Sequence, residues 1–127
     1  MPIREATIAV TYKCNLKCAM CNIWRGNPQT EIAASEYTKL PATLRTINIT
    51  GGEPFLREDL LDVIKSIHSV VPNARLVVSS NGYLTNTILR QMRLMRAVYP
   101  DVGIGISLDG VEATHDRIRG VSGSYSR

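Results

Sequence analysis

Three cysteines, Cys14, Cys18 and Cys21, stand within the eight residues CNLKCAMC, and the 127-residue chain holds no other. Three thiols suit neither a structural zinc site, which takes four protein ligands, nor a disulfide, which takes two. Soft thiolates select zinc, copper or iron–sulfur clusters, and four irons held by three thiolates leave one iron open for something else to coordinate. An odd count of cysteines packed into one loop argues for metal or redox chemistry rather than a disulfide framework.

Other chemistry-bearing groups recur at intervals. TGGEP offers two adjacent glycines, Gly51 and Gly52, where backbone must come close to a ligand, then Glu53, a carboxylate able to hold an ammonium group, and Pro54. Hydroxyls stand at Ser79 and Ser107, with Asn81 and Asp109 two residues beyond each. Asn81 also suits support of the turn into Gly82, and Asp109 the cap of a following helix. His68 and His115 are the two histidines, and either one as a fourth ligand would make a structural zinc module.

The elements that would carry these residues can be read from periodicity. Four apolar, β-branched runs read as buried parallel strands: TIAVTYKC from Thr7, TINITGGE from Thr46, RLVVSSNG from Arg75 and GIGISLDG from Gly103. Between them lie helical patterns over Glu31 to Leu40, with Ser35 a potential cap, over Leu60 to Val71 before Pro72, and over Asn86 to Val98 before Pro100, capped by Thr85 or Asn86. Strands and helices alternating at roughly 30-residue spacing imply βαβ units and a parallel sheet, with chemistry at the carboxyl ends of the strands. All four strands end in the segments that carry the candidate residues. Alternation puts Val77, Ser79 and Asn81 on one face, and Ser107 and Asp109 opposite Ile106 and Leu108.

Bulk properties narrow the function. Hydrophobic residues at 44% fit a folded globular domain. The net charge of +4 is scattered, and Arg90, Arg93 and Arg96 recur as the solvated face of a helix, so a nucleic-acid surface is not expected. MPIREATIAV carries Glu5 and too short an apolar run for a signal peptide, no later stretch could span a bilayer, and a cytoplasmic location is expected. A closed barrel of eight units needs about 250 residues. Four units are therefore expected to be the N-terminal half of a (β/α) barrel, with the remainder of the domain absent. The first and fourth strands would then present unpaired edges, through which copies could associate.

C-x-x-x-C-x-x-C at the end of the first strand, GGEP at the end of the second and SLDG at the end of the fourth resemble the radical S-adenosylmethionine (radical SAM) enzymes. TYKCNLKCAMC, ITGGEPFLREDL and SLDG followed by HDRIRG are most similar to the molybdenum cofactor cyclases and the SPASM-type peptide and protein maturases. The resemblance implies an α/β fold, a truncated, TIM-like (β/α) barrel of four parallel strands, with a four-iron four-sulfur (4Fe-4S) cluster on Cys14, Cys18 and Cys21. It implies S-adenosylmethionine chelating the open iron, and its one-electron cleavage to a 5′-deoxyadenosyl radical that abstracts hydrogen from a substrate. The Gly51 to Pro54 segment would bind the methionyl amino group, and Ser79 and Ser107 would contact the cofactor, with Asn81 and Asp109 beside them. Arg119 would pair with the cofactor carboxylate unless Arg117 competes. Met20 stands where the family usually has an aromatic residue by the adenine, and its polarizable thioether can lie against a ring. The implied partners are a one-electron reductant such as flavodoxin or ferredoxin and a substrate that is a peptide, a protein or a small molecule. The alternatives are a molybdenum cofactor type cyclase and a non-catalytic metal-binding module.

Overall fold

A computed structural model describes residues 1–26 and 30–127. Four parallel strands, β1 (Glu5–Thr11), β2 (Thr46–Gly51), β3 (Arg75–Ser80) and β4 (Val102–Ile106), lie side by side in the order of the sequence. Helices α1 (Leu60–Val70) and α2 (Thr85–Val98) make the second and third crossovers, and α3 (Ala113–Arg119) follows β4. A sheet wound in sequence order with right-handed crossovers keeps its helices on one face, as in a barrel, whereas a doubly wound sheet covers both.

The two faces differ accordingly. Ile47 pairs with Leu76 and Ile49 with Val78 across β2 and β3, and all four are fully buried under the helices. The alternate residues Asn48, Thr50, Val77 and Ser79 are only half-buried on the open face that would line a barrel interior. α1 buries Leu60, Val63, Ile64 and Ile67, an i, i+3, i+4, i+7 stripe worth about 1.5–3 kcal/mol per side chain relative to exposure. On α2, Ile88 and Met95 face the core while Arg90, Arg93 and Arg96 are exposed.

Three local expectations are corrected. The stretch expected as a helix from Glu31 to Leu40 forms only a 3₁₀ turn over Ala34–Lys39, and Ala33, not Ser35, caps it. Its flanks, Ala33 and Leu40, are extended, and the Thr38 hydroxyl donates to the Ser35 carbonyl at 2.7 Å, a local bond that competes with a longer helix. α2 begins at Thr85, which puts Leu84, a residue with no side-chain acceptor, rather than Thr85 or Asn86 at the cap position. The helix for which Asp109 is a candidate cap is α3, and Glu112, not Asp109, stands at its N-cap position.

Candidate functional site

The carboxyl end of β1 leads directly into the cysteine loop. Beyond Thr11 the chain stays beside the end of β2: the Gly52 amide donates to the Thr11 carbonyl at 2.9 Å and the Glu53 amide to the Lys13 carbonyl at 2.8 Å. This approach explains both glycines. Gly51 has a φ of +139°, and a Cβ there would overlap the Thr11 carbonyl oxygen; a Cβ on Gly52 would overlap that of Lys13. The backbone they admit so closely is that of the end of β1 and the start of the cysteine loop, a neighbour the sequence did not disclose.

The loop is held from three sides. The Lys17 amide donates to the Arg119 carbonyl at 3.1 Å and the Ala19 amide to the Ile118 carbonyl at 2.8 Å, so the free carbonyls at the end of α3 are satisfied by the cysteine loop. Trp24 Nε1 and the Cys21 amide both donate to the Cys18 carbonyl, at 3.2 and 3.3 Å. Asn81 Nδ2 donates to Asn15 Oδ1 at 2.8 Å, joining the end of β3 to the residue after the first cysteine, and Asn81 Oδ1 accepts from the Tyr83 amide.

Cys14, Cys18 and Cys21 open into one cavity, together with Met20, Trp24, Gly51, Gly52, Ser79, Asn81, Ser107 and Arg119. Cys18 is buried, Cys14 half-buried and Cys21 exposed. Burial, its largest cause, holds the Cys14 thiol above its ordinary value, with the nearby Cys18 and Glu53 acting in the same direction. Among the described residues, no three His, Cys, Asp or Glu side chains converge on the position of a single ion. A four-iron cluster does not require that, since each thiolate binds a different iron at a separate corner. Neither histidine shares the cavity: His68 packs on Tyr99 with centroids 4.9 Å apart, and His115 accepts from the Asp109 amide at 3.2 Å.

Glu53, Pro54 and Asp109 do not line the cavity. The Glu53 carboxylate is fully buried and accepts from the Phe55 amide, Ser80 Oγ and the Asn81 amide at 3.2, 2.9 and 2.8 Å, tying the ends of β2 and β3 together. Burial pushes its pKa up, against the pull of those three donors. Pro54 is buried at the start of a 3₁₀ turn, Pro54–Leu56. Asp109 is 2.6 Å from Arg119 Nε, and Arg119 Nη1 is 3.7 Å from Cys18 Sγ. The competing Arg117 is exposed. Ser79 Oγ donates to Asn48 Oδ1 at 2.8 Å and keeps its lone pairs for a ligand donor. Met20 is 60% exposed over the mouth, free to move against a planar group.

Sequence reasoning did not single out Leu16, Ile23, Thr50 and Ser80 as cavity residues. Leu16 and Ile23 gave one weak signal, as apolar residues inside a polar loop. Ser80 gave none, since alternation placed it on the other face.

The sequence signature of the radical SAM superfamily matches residues 8–127. The chain belongs to the radical SAM superfamily. Radical SAM relatives include a probable GTP 3′,8-cyclase of Archaeoglobus fulgidus, 32% identical over 95% of this chain and 40% of that protein. The sporulation killing factor maturation protein SkfB of Bacillus subtilis is 32% identical over 98% of this chain and 30% of that protein. The chain therefore spans well under half the length of either. Among solved structures, SuiB of Streptococcus suis bound to S-adenosylmethionine superposes with a TM-score of 0.73 at 16% identity, over 98% of this chain and 29% of that one. That likeness is one of fold: an α/β arrangement of parallel strands, barrel-like and partial. Radical SAM enzymes use a 4Fe-4S cluster and S-adenosylmethionine, and the three-thiol donor set of the cavity fits such a cluster. No helix among the described residues is long and apolar enough to cross a membrane.

Proposed function

We propose that this chain is the cluster-bearing N-terminal half of a barrel in a radical SAM enzyme, with Cys14, Cys18 and Cys21 as the cluster ligands. The observation that carries this is the convergence of three thiols, the Gly51–Gly52 backbone, two serines and a buried arginine on one cavity at the carboxyl ends of four strands. Held there, the cluster would supply one electron to the sulfonium of S-adenosylmethionine, whose S–C5′ bond would break into methionine and a 5′-deoxyadenosyl radical able to abstract hydrogen from the substrate.

The chain's own residues position that chemistry. Gly51 and Gly52 line the cavity, where their backbone would accept from a methionyl ammonium, and the buried Glu53 carboxylate supports that segment. Arg119 offers its guanidinium to the cofactor carboxylate, Ser79 and Ser107 offer hydroxyls, and Met20 offers an apolar surface for the adenine. Asn81 braces the site through Asn15, and Asp109 orients Arg119. Trp24 covers the loop and excludes water.

The substrate is a peptide, a protein or a small molecule, and the electron comes from a flavodoxin- or ferredoxin-like reductant. The cyclase reading is supported by the Archaeoglobus relative, and the maturase reading by SkfB. Anaerobic reconstitution of the native-length protein, followed by EPR of the dithionite-reduced form, tests the proposal. A cluster signal that changes on addition of S-adenosylmethionine is expected. Protein that binds only zinc, or whose signal ignores the cofactor, would overturn it.

A further inference from the structure

The cysteine loop leaves the sheet at Thr11, and the chain comes back beside that point at Glu31, so the two ends of the loop are tied to each other. Thr11 Oγ1 donates to Glu31 Oε1 at 2.6 Å across 20 positions of sequence, and Lys13 Nζ stands 3.5 Å from the same oxygen. The Thr11 hydroxyl in turn accepts from the Lys13 amide at 3.2 Å, so the residue beside Cys14 belongs to the same knot.

A second tie lies directly behind the first. Arg57 Nη1 donates to the Val10 carbonyl and Nη2 to the Ile32 carbonyl, each at 2.7 Å, joining the outgoing strand to the returning segment. The remaining donors go to Tyr37 Oη at 3.2 Å and to both Asp59 oxygens at 2.7 and 3.1 Å. Every N–H of this guanidinium is used, and only 1% of the residue is exposed. A buried cation with all its donors satisfied in one arrangement makes a rigid node, because any movement of the loop neck leaves one of them unpaired. Neither Glu31 nor Arg57 lines the cavity.

We infer that Glu31 and Arg57 are positioning residues: a two-layer clamp that closes the neck of the cysteine loop and holds its thiols in a cluster-ready arrangement before any cluster is bound. Bringing the ends of a flexible loop together costs entropy that grows with its length. Where the protein has already met that cost, cluster binding does not have to. This inference rests on the cluster-site reading above.

Two readouts on the native-length protein test it: hydrogen–deuterium exchange of segment 12–26 without a cluster, and the rate of iron release to a chelator after reconstitution. Glu31→Ala removes both the hydrogen bond and the ion pair, and is expected to speed exchange in the loop and accelerate iron release about tenfold, as losing one charge-assisted hydrogen bond would. Glu31→Gln still accepts from Thr11 and falls between Glu31→Ala and the wild type. Tyr99→Phe, which removes a buried hydroxyl 2.7 Å from the Val71 and Ala74 carbonyls, serves as a control for general destabilisation and leaves both readouts unchanged.

Wild-type behaviour in Glu31→Ala, or equal effects from Tyr99→Phe, would overturn the clamp. If the wild type takes up no cluster, the cluster-site reading fails, and exchange in the cluster-free protein still decides whether the neck is clamped.

Discussion

The guanidinium of Arg119 stands 3.7 Å from the sulfur of Cys18, although 101 positions of sequence separate them. Asp109 holds its other edge at 2.6 Å, leaving the arginine aimed into the cavity with a sulfur on one side and a carboxylate on the other. A fixed fork of this kind suits a ligand carboxylate better than a mobile surface arginine would.

Arg119→Met is therefore expected to weaken the S-adenosylmethionine response of the reduced cluster roughly tenfold or more, the effect of losing a hydrogen bond to a charged group. Arg117→Met, at an exposed position, is expected to titrate as the wild type. Cofactor titrations followed by EPR would compare them, and equal responses would remove Arg119 from the site.

The glycines of TGGEP separate from the other strand glycines by what a methyl group would meet. Gly51→Ala drives a Cβ into the Thr11 backbone and Gly52→Ala into that of Lys13, and each is expected to cost about 1–3 kcal/mol, the range of overpacking a filled interior. Gly105→Ala meets nothing nearer than a Val77 methyl at 3.8 Å, and is expected to change stability by less than about 1 kcal/mol. Denaturant unfolding of the three variants would show the contrast, and a Gly51→Ala protein as stable as Gly105→Ala would refute the close approach.

Two carboxylates are expected to tilt the pH dependence of stability in opposite directions. The hydrogen bond from Arg57 holds Asp59 below its ordinary 3.8, so its contribution is present above that value and is lost as the pH falls through the folded-state value. Burial raises Glu53 above its ordinary 4.5, so its contribution is complete below that value and is lost as the pH rises through the folded-state value. Asp59→Asn should flatten the acid limb by no more than about 1 kcal/mol, the pair being open to water on one side. Glu53→Gln should remove the decline above pH 4.5 while costing about 1–3 kcal/mol overall, because its amide NH₂ would oppose a buried donor. Stability measured from pH 2 to 8 would reveal both, and a Glu53→Gln curve parallel to the wild type would contradict the burial argument.

Some of this protein is written locally. The spacing of Cys14, Cys18 and Cys21 gathers three soft donors into one loop, because donor number and softness are properties of the residues themselves. The stripe at Leu60, Val63, Ile64 and Ile67 states a helix, and the β-branched runs state strands, because both reflect a backbone period that is independent of distant contacts. Placing the chemistry at the strand ends follows from those two facts together.

The tertiary structure decided the partners. It turned Glu53 inward to three donors, set Gly51 against Thr11 and Gly52 against Lys13, brought Arg119 to Cys18 and placed Arg57 between Val10 and Ile32. It also reduced the expected helix near Ala34 to a 3₁₀ turn. A periodic pattern reports which face of an element is apolar, but not which residue lies across from it. Apart from the Phe55 amide beside Glu53, these partners lie at least 25 and up to 101 positions apart, and that geometry exists only once the sheet has wound.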